Sequence, residues 1–186
     1  MEKNRLEAFS DGVLAIIITI MVLELREPGG DSIDDFLSLT PIILSYLQSF
    51  AFVAIYWVNH HMILHDAERV NVGILWCNIL WLLVMSFIPF TTEWVGTYPM
   101  SWAPVSLYFL DMFLTAVTFH LMYYLIVCEA GVRNEFSLSL RSDISMLVYL
   151  LAAIFGGFCP PVAYIVVALV TCWWIIPEKT MGEKLS

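Results

Sequence analysis

Long apolar runs alternate with short polar knots along the whole chain. Each run approaches the ~20 residues that an α-helix needs to cross a hydrocarbon core of about 30 Å. The first, over residues 6–25, ends in REPGGDS, where Pro28, Gly29 and Gly30 stop a helix. Asp34 and Asp35 stand at the start of the second, where carboxylates suit the positive end of a helix dipole. From Phe36 to His65 there is no Asp, Glu, Lys or Arg, and the polar cluster HDAER closes that run. A third span is expected over residues 72–90, with Pro89 marking its end, and a fourth over residues 104–128.

From Ile144 to Pro177 the chain carries 34 residues without a charge. One helix of that length would reach about 51 Å, well beyond the hydrocarbon core. The CPP at Cys159–Pro161 removes two backbone donors in its middle, so two short spans joined by a tight turn are expected, over residues 144–159 and 162–176. The reading is an all-α, polytopic membrane protein, a single transmembrane domain over residues 1–186 with six spans near 6–25, 36–64, 72–90, 104–128, 144–159 and 162–176.

Composition agrees with the pattern. The chain is 60% hydrophobic with a mean hydropathy of +0.82, and 13% of its residues are charged. A net charge of −9 without a Lys/Arg-rich tract argues against nucleic-acid binding. Cys77, Cys128, Cys159 and Cys172 are scattered singly, which gives neither a disulfide framework nor a CxxC motif. Glu2, Glu7 and Asp11 interrupt the N-terminal flank and no small-residue cleavage site follows, so the first span is expected to stay in the membrane rather than be cleaved as a signal peptide. With six spans and the N-terminus inside, Lys3, Arg5, Arg69, Arg133, Arg141, Lys179 and Lys184 are cytoplasmic and Arg26 alone is outside, seven against one. Five spans would give five against three, so the positive-inside rule favours six with both termini cytoplasmic.

Span 1 holds the candidate chemistry. A carboxylate within a transmembrane helix normally has a partner or lines water, and this one carries Asp11 beside Ser10. On a wheel of 100° per residue, Gly12, Ile20, Leu23 and Glu27 fall within about 40° of Ile16 and Thr19 about 60° away, while Asp11 lies about 140° off. If Ile16 and Ile20 face a pore, Asp11 faces neighbouring helices; the same aliphatic stripe also fits an ordinary lipid-facing or packing surface.

The motif Arg5-x-x-x-Phe9-Ser10-Asp11-Gly12, followed by Ala15-Ile16 and Thr19, resembles the signature of the transmembrane protein 175 family of potassium-permeable channels. Trp57 with Asn59-His60-His61, then Asn78, then Pro89-Phe90-Thr91 continue the likeness in order, over about residues 5–92. The single six-span unit resembles the prokaryotic form, which implies a multi-pass protein of the prokaryotic cell (inner) membrane. The resemblance implies a homotetramer with span 1 of each subunit around a central axis, hydrophobic pore layers at Ile16, Ile20 and Leu23, and a polar layer at Thr19. It also implies that Arg5, Phe9, Ser10 and Asp11 form a structural clamp with Trp57, Asn78 and His60 or His61, and, separately, that the permeant ion is potassium and the partners are the bilayer and further copies of the chain. No TVGYG carbonyl filter is present, so permeation would pass rings of aliphatic side chains that close a narrow pore by dewetting.

The remaining polar residues carry less. Glu24, Glu27, Asp31, Asp34 and Asp35 gather at the outer mouth, where Glu27 shares the Ile16 face and is the candidate for an acidic ring that concentrates cations. Asp11, Asp111 and His120 motivate an alternative, a proton-coupled secondary transporter, although the chain shows no internal repeats and spans 1 and 4 are not broken. A third reading is a non-conducting assembly factor. Asp111 is expected to bond within its own bundle, with Thr115 one turn on as a candidate partner. His61, His65 and Asp66 have spacing that suits a metal but no HExxH frame, and are read as packing and helix-end residues. Neither a catalytic nor a metal or cofactor motif stands out, so an enzyme is not expected.

Overall fold

The computed structural model describes residues 3–67, 70–130 and 140–175, and every regular element among them is helical. In order these are α1 (Lys3–Leu23), α2 (Ile33–Leu37), α3 (Thr40–Asp66), α4 (Val72–Met85), α5 (Ile88–Thr97), α6 (Trp102–Ala130), α7 (Leu140–Phe155), a 3-10 turn (Gly156–Phe158) and α8 (Pro160–Ile175). Five stretches are long and apolar enough to cross a membrane, with α4 and α5 together forming one over Val72–Thr97. The apolar α8 has 16 residues, about 24 Å of helix. The expected all-α class is the observed one. Arg69, Arg133, Lys179 and Lys184, which carry much of the orientation argument, lie outside the described residues.

The long α6 is the centre of the bundle and packs against α4, α5 and α7, while α1 packs on α3, α4 and α5. Trp81, Phe52, Tyr108, Phe109 and Met112 fill the space between them. Lipid tails are as apolar as leucine, so such contacts stabilise the bundle by close packing rather than by transfer from water. Small residues therefore matter where backbones meet: a Cβ on Gly96 of α5 would come within 3.0 Å of Ile42 Cα on α3. At the other end of the bundle, the buried Arg141 guanidinium lies 5.0 Å from the ring centre of Trp173 and 5.5 Å from that of Trp174, which ties the start of α7 to the end of α8.

Proline placement corrects three expected boundaries. Pro89 does not end span 3: it lies in the first turn of α5, where a missing N–H costs nothing, and the helix breaks earlier at Ser86–Phe87 and then runs on to Thr97. The second long helix begins at Thr40, with Pro41 in its first turn, rather than at Phe36. Asp34 and Asp35 belong instead to the separate α2, capped by Ser32. Likewise Pro160 opens α8, and the chain turns just before it, through Gly156–Cys159. A Cβ on Gly157 would fall inside the Trp102 ring and one on Gly156 would press on Ala163, so this turn accepts glycine at both positions for want of space.

Candidate functional site

Helix α1 has two unlike sides. Leu6, Ser10, Leu14, Ile17 and Met21 recur at three- and four-residue spacing and are buried against the subunit's own α3, α4 and α5. Gly12, Ile16, Thr19, Ile20 and Leu23 lie on the other side and are exposed, Ile16 at 58% and Leu23 at 80%. A Cβ on Gly12 would meet nothing within 4 Å. The Thr19 hydroxyl donates to the Ile16 carbonyl at 2.9 Å. Its hydrogen is thus occupied by its own helix, and the lone pairs of Oγ1 are left to accept or to meet a cation.

The buried side is locked by a directed chain of hydrogen bonds. Ser10, His60 and Asn78 have no exposed surface, so their polar atoms can find partners only inside the protein, and His60 Nδ1 finds none among the described residues. His60 Nε2 lies 2.8 Å from Asn78 Oδ1, Asn78 Nδ2 donates to Ser10 Oγ at 3.0 Å, and Ser10 Oγ donates to the Leu6 carbonyl at 2.9 Å. A carboxamide oxygen can only accept, so His60 carries its hydrogen on Nε2. The His60 ring is further held flat against Trp81, with centroids 4.9 Å apart and planes 12° from parallel.

Nearer the surface, two rungs join α1 to α3. Trp57 Nε1 donates to Asp11 Oδ1 at 2.9 Å, and one turn along both helices His61 Nδ1 meets Glu7 Oε1. The Lys3 ammonium reaches the Ala67 carbonyl at 3.4 Å, one turn further again. The two histidines therefore do different work: His60 joins Ser10 and Asn78, His61 joins Glu7. Glu7 was not singled out from the sequence, although its i, i+4 spacing to Asp11 mirrors that of Trp57 and His61 and was there to be read. Arg5 and Phe9 are placed elsewhere, on the exposed side of α1. The side chains of His65 and Asp66 fall outside the described residues.

At the far end Glu27 is exposed in the loop that follows α1. Arg26, alone among the mouth acids in the sequence, is paired: its Nη2 lies 2.6 Å from Glu93 Oε1 on α5. Asp35 is turned to its own helix start, where the Ser32 hydroxyl and amide donate to its carboxylate and hold it below the usual carboxylate range. Asp111 bonds within its own bundle as expected, but not to Thr115. Asp111 Oδ2 lies 2.9 Å from Thr91 Oγ1 on α5, and Thr115 Oγ1 is buried without a partner. Helix packing has brought a neighbouring hydroxyl closer than the one on Asp111's own helix. Asp11, bonded to Trp57, and Asp111, bonded to Thr91, thus have separate partners, and His120 is nine residues further along α6, about 13 Å by helical rise.

Residues 5–89 match the family described as the endosomal/lysosomal potassium channel TMEM175. A protein of Chryseobacterium sp. (strain P1-3) named as a potassium channel is 39% identical over 190 residues, which takes in 100% of this chain and 99% of the relative. A second so named, from Chamaesiphon minutus, is 40% identical over 103 residues, 52% of this chain and 51% of its own length. The crystal structure of a lysosomal potassium-selective channel TMEM175 homolog from Chamaesiphon minutus superposes with a TM-score of 0.82 at 28% identity, covering 94% of this chain and 96% of that one.

Proposed function

The chain belongs to the TMEM175 family of potassium channels, a family of multi-pass membrane proteins and not of enzymes, and on that premise we propose that it is a potassium-permeable cation channel, a homotetramer in which α1 of each subunit lines the pore. One observation carries the reading: the aliphatic stripe of α1 is exposed while the opposite side of the same helix is closed by its own subunit. Four copies of that stripe around an axis give rings of Ile16, Ile20 and Leu23. Rings of branched aliphatic side chains stop ions by excluding water when narrow and admit them when wet. Thr19 adds hydroxyl oxygens within the same stripe, and its bond to the Ile16 carbonyl leaves their lone pairs for a passing cation. Glu27 and its symmetry mates concentrate cations outside.

In this reading Ser10, Asp11, Trp57, His60, His61 and Asn78 do not touch the ion. They hold α1 at a fixed rotation, so that Ile16 points to the axis. Arg5 and Phe9 are on the exposed side and complete the clamp across a subunit boundary. The chain then crosses the prokaryotic cell membrane six times with both ends in the cytoplasm, the arrangement that its charges favour. Purified protein in liposomes, assayed for potassium and sodium flux alongside the mass of the assembled particle, tests the proposal. Potassium flux that follows its own gradient, from a tetramer, is expected. Absence of flux, or uptake driven by a pH gradient and saturating with a solute, would overturn it.

A further inference from the structure

Asp111 stands nine residues into α6 and is 6% exposed. A carboxylate at such a place needs a cation or several donors to offset its desolvation. It has neither. Thr91 is its hydrogen-bond partner, and among the described residues no basic side chain pairs with it. The elements packed around it explain why. From α3 comes Ser49, whose Oγ lies 2.7 Å from Thr92 Oγ1 and 2.9 Å from the Tyr108 hydroxyl. Glu93 of α5 is engaged with Arg26, and α4 has no acidic or basic side chain. Helix α7 carries Arg141 and Asp143 in its first turn, where Asp143 acts on His120 rather than on Asp111. The titratable groups nearer by are phenols: Tyr108, with Tyr149 and Tyr164 beyond it.

Counting hydrogens then decides the form of the acid. The Thr91 hydroxyl lies 2.9 Å from Asp111 Oδ2, 3.2 Å from the Ile88 carbonyl and 3.3 Å from the Phe87 carbonyl, and it has one hydrogen to give. An ionised Asp111 would take that hydrogen and still have most of its lone pairs bare. A protonated Asp111 donates to Thr91 Oγ1, and Thr91 in turn donates to the backbone at the α4–α5 break, so the hydrogens of both side chains have a place.

We infer that Asp111 is a proton-binding site in the core of the bundle: it keeps its proton at neutral pH, donates it to Thr91, and so joins α5 to α6 through a polar seam that carries no charge. The site is separate from the pore face of α1 and does not depend on it. Infrared spectra of the full-length protein in lipid at neutral pH, in light and heavy water, test this on wild type, Asp111→Asn and Thr91→Val. Surface carboxyls are ionised under those conditions, so a protonated-carboxyl C=O band in wild type, lost in Asp111→Asn and moved to higher frequency in Thr91→Val, is expected. A wild type without that band, or a band that survives Asp111→Asn, overturns the inference. Should Asp111→Asn not fold, the Thr91→Val spectrum decides, and an unshifted band counts against it.

Discussion

The indole N–H of Trp57 meets Asp11 Oδ1 at 2.9 Å, on the side of α1 that turns away from Ile16. The acid that gives the sequence motif its character is therefore bound to the neighbouring helix of its own subunit. Its service to the pore, in the reading proposed above, is to fix a rotation.

If so, Trp57→Phe should lower the thermal midpoint of the detergent-solubilised protein by an amount corresponding to about 1 kcal/mol, since one half-exposed hydrogen bond is lost and the ring is kept. Made in an Asp11→Asn background, the same change should add little, because the two residues act on one interaction. Additive losses would show that they work independently.

Removing the amide of Asn78 reaches deeper. Asn78→Leu strands His60 Nε2 in a dry core, which costs about 1–3 kcal/mol. Pairing it with His60→Phe should recover most of the loss, because replacing both partners by apolar groups of similar shape leaves no orphan. Yield of folded protein and its melting midpoint report both steps; a double variant no better than the single one would refute the hydrogen-bond account.

The exposed side of α1 answers to a different assay. Ile16→Asn should wet the ring proposed for it and raise liposome potassium flux several-fold, with melting little changed because the side chain is exposed on its own chain. Thr19→Val should leave the flux in place and alter the preference for potassium over sodium. Unchanged currents in Ile16→Asn would remove α1 from the pore.

At the mouth, Glu27→Gln should reduce conductance in dilute salt and not in concentrated salt. A ring of carboxylates enriches cations over a Debye length, which shrinks from about 30 Å at 0.01 M to about 3 Å at 1 M. The two conductance–salt curves should therefore converge; curves that coincide throughout would assign Glu27 to a solvated loop.

Much of this architecture is legible in the chain because a helix repeats itself. Hydrophobic runs mark the long helices, and a helical wheel separates Ile16, Ile20 and Leu23 from Asp11. What periodicity cannot give is which helix lies beside which. Thr91 with Asp111 and Arg26 with Glu93 are 20 and 67 residues apart in sequence, and nothing in their local spacing pairs them. Proline is ambiguous in the sequence: Pro89 and Pro160 lack an N–H, which is compatible with the end of one helix and with the start of the next. The glycines at 156 and 157 would have settled the last turn, had close approach to Trp102 and Ala163 been foreseeable from composition.

The two-sidedness of α1 also orders events in the cell. Everything on its inner side, from Leu6 to Met21, is completed by α3, α4 and α5 of the same chain. In the tetramer proposed above, a newly made chain would therefore finish its tertiary structure before it encounters another copy, and assembly would be a later, bimolecular step limited by how much protein the membrane holds. In that proposed order, damage to the inner side would be met as misfolding, whereas damage to the outer side would yield sound subunits that wait, unassembled, in the bilayer.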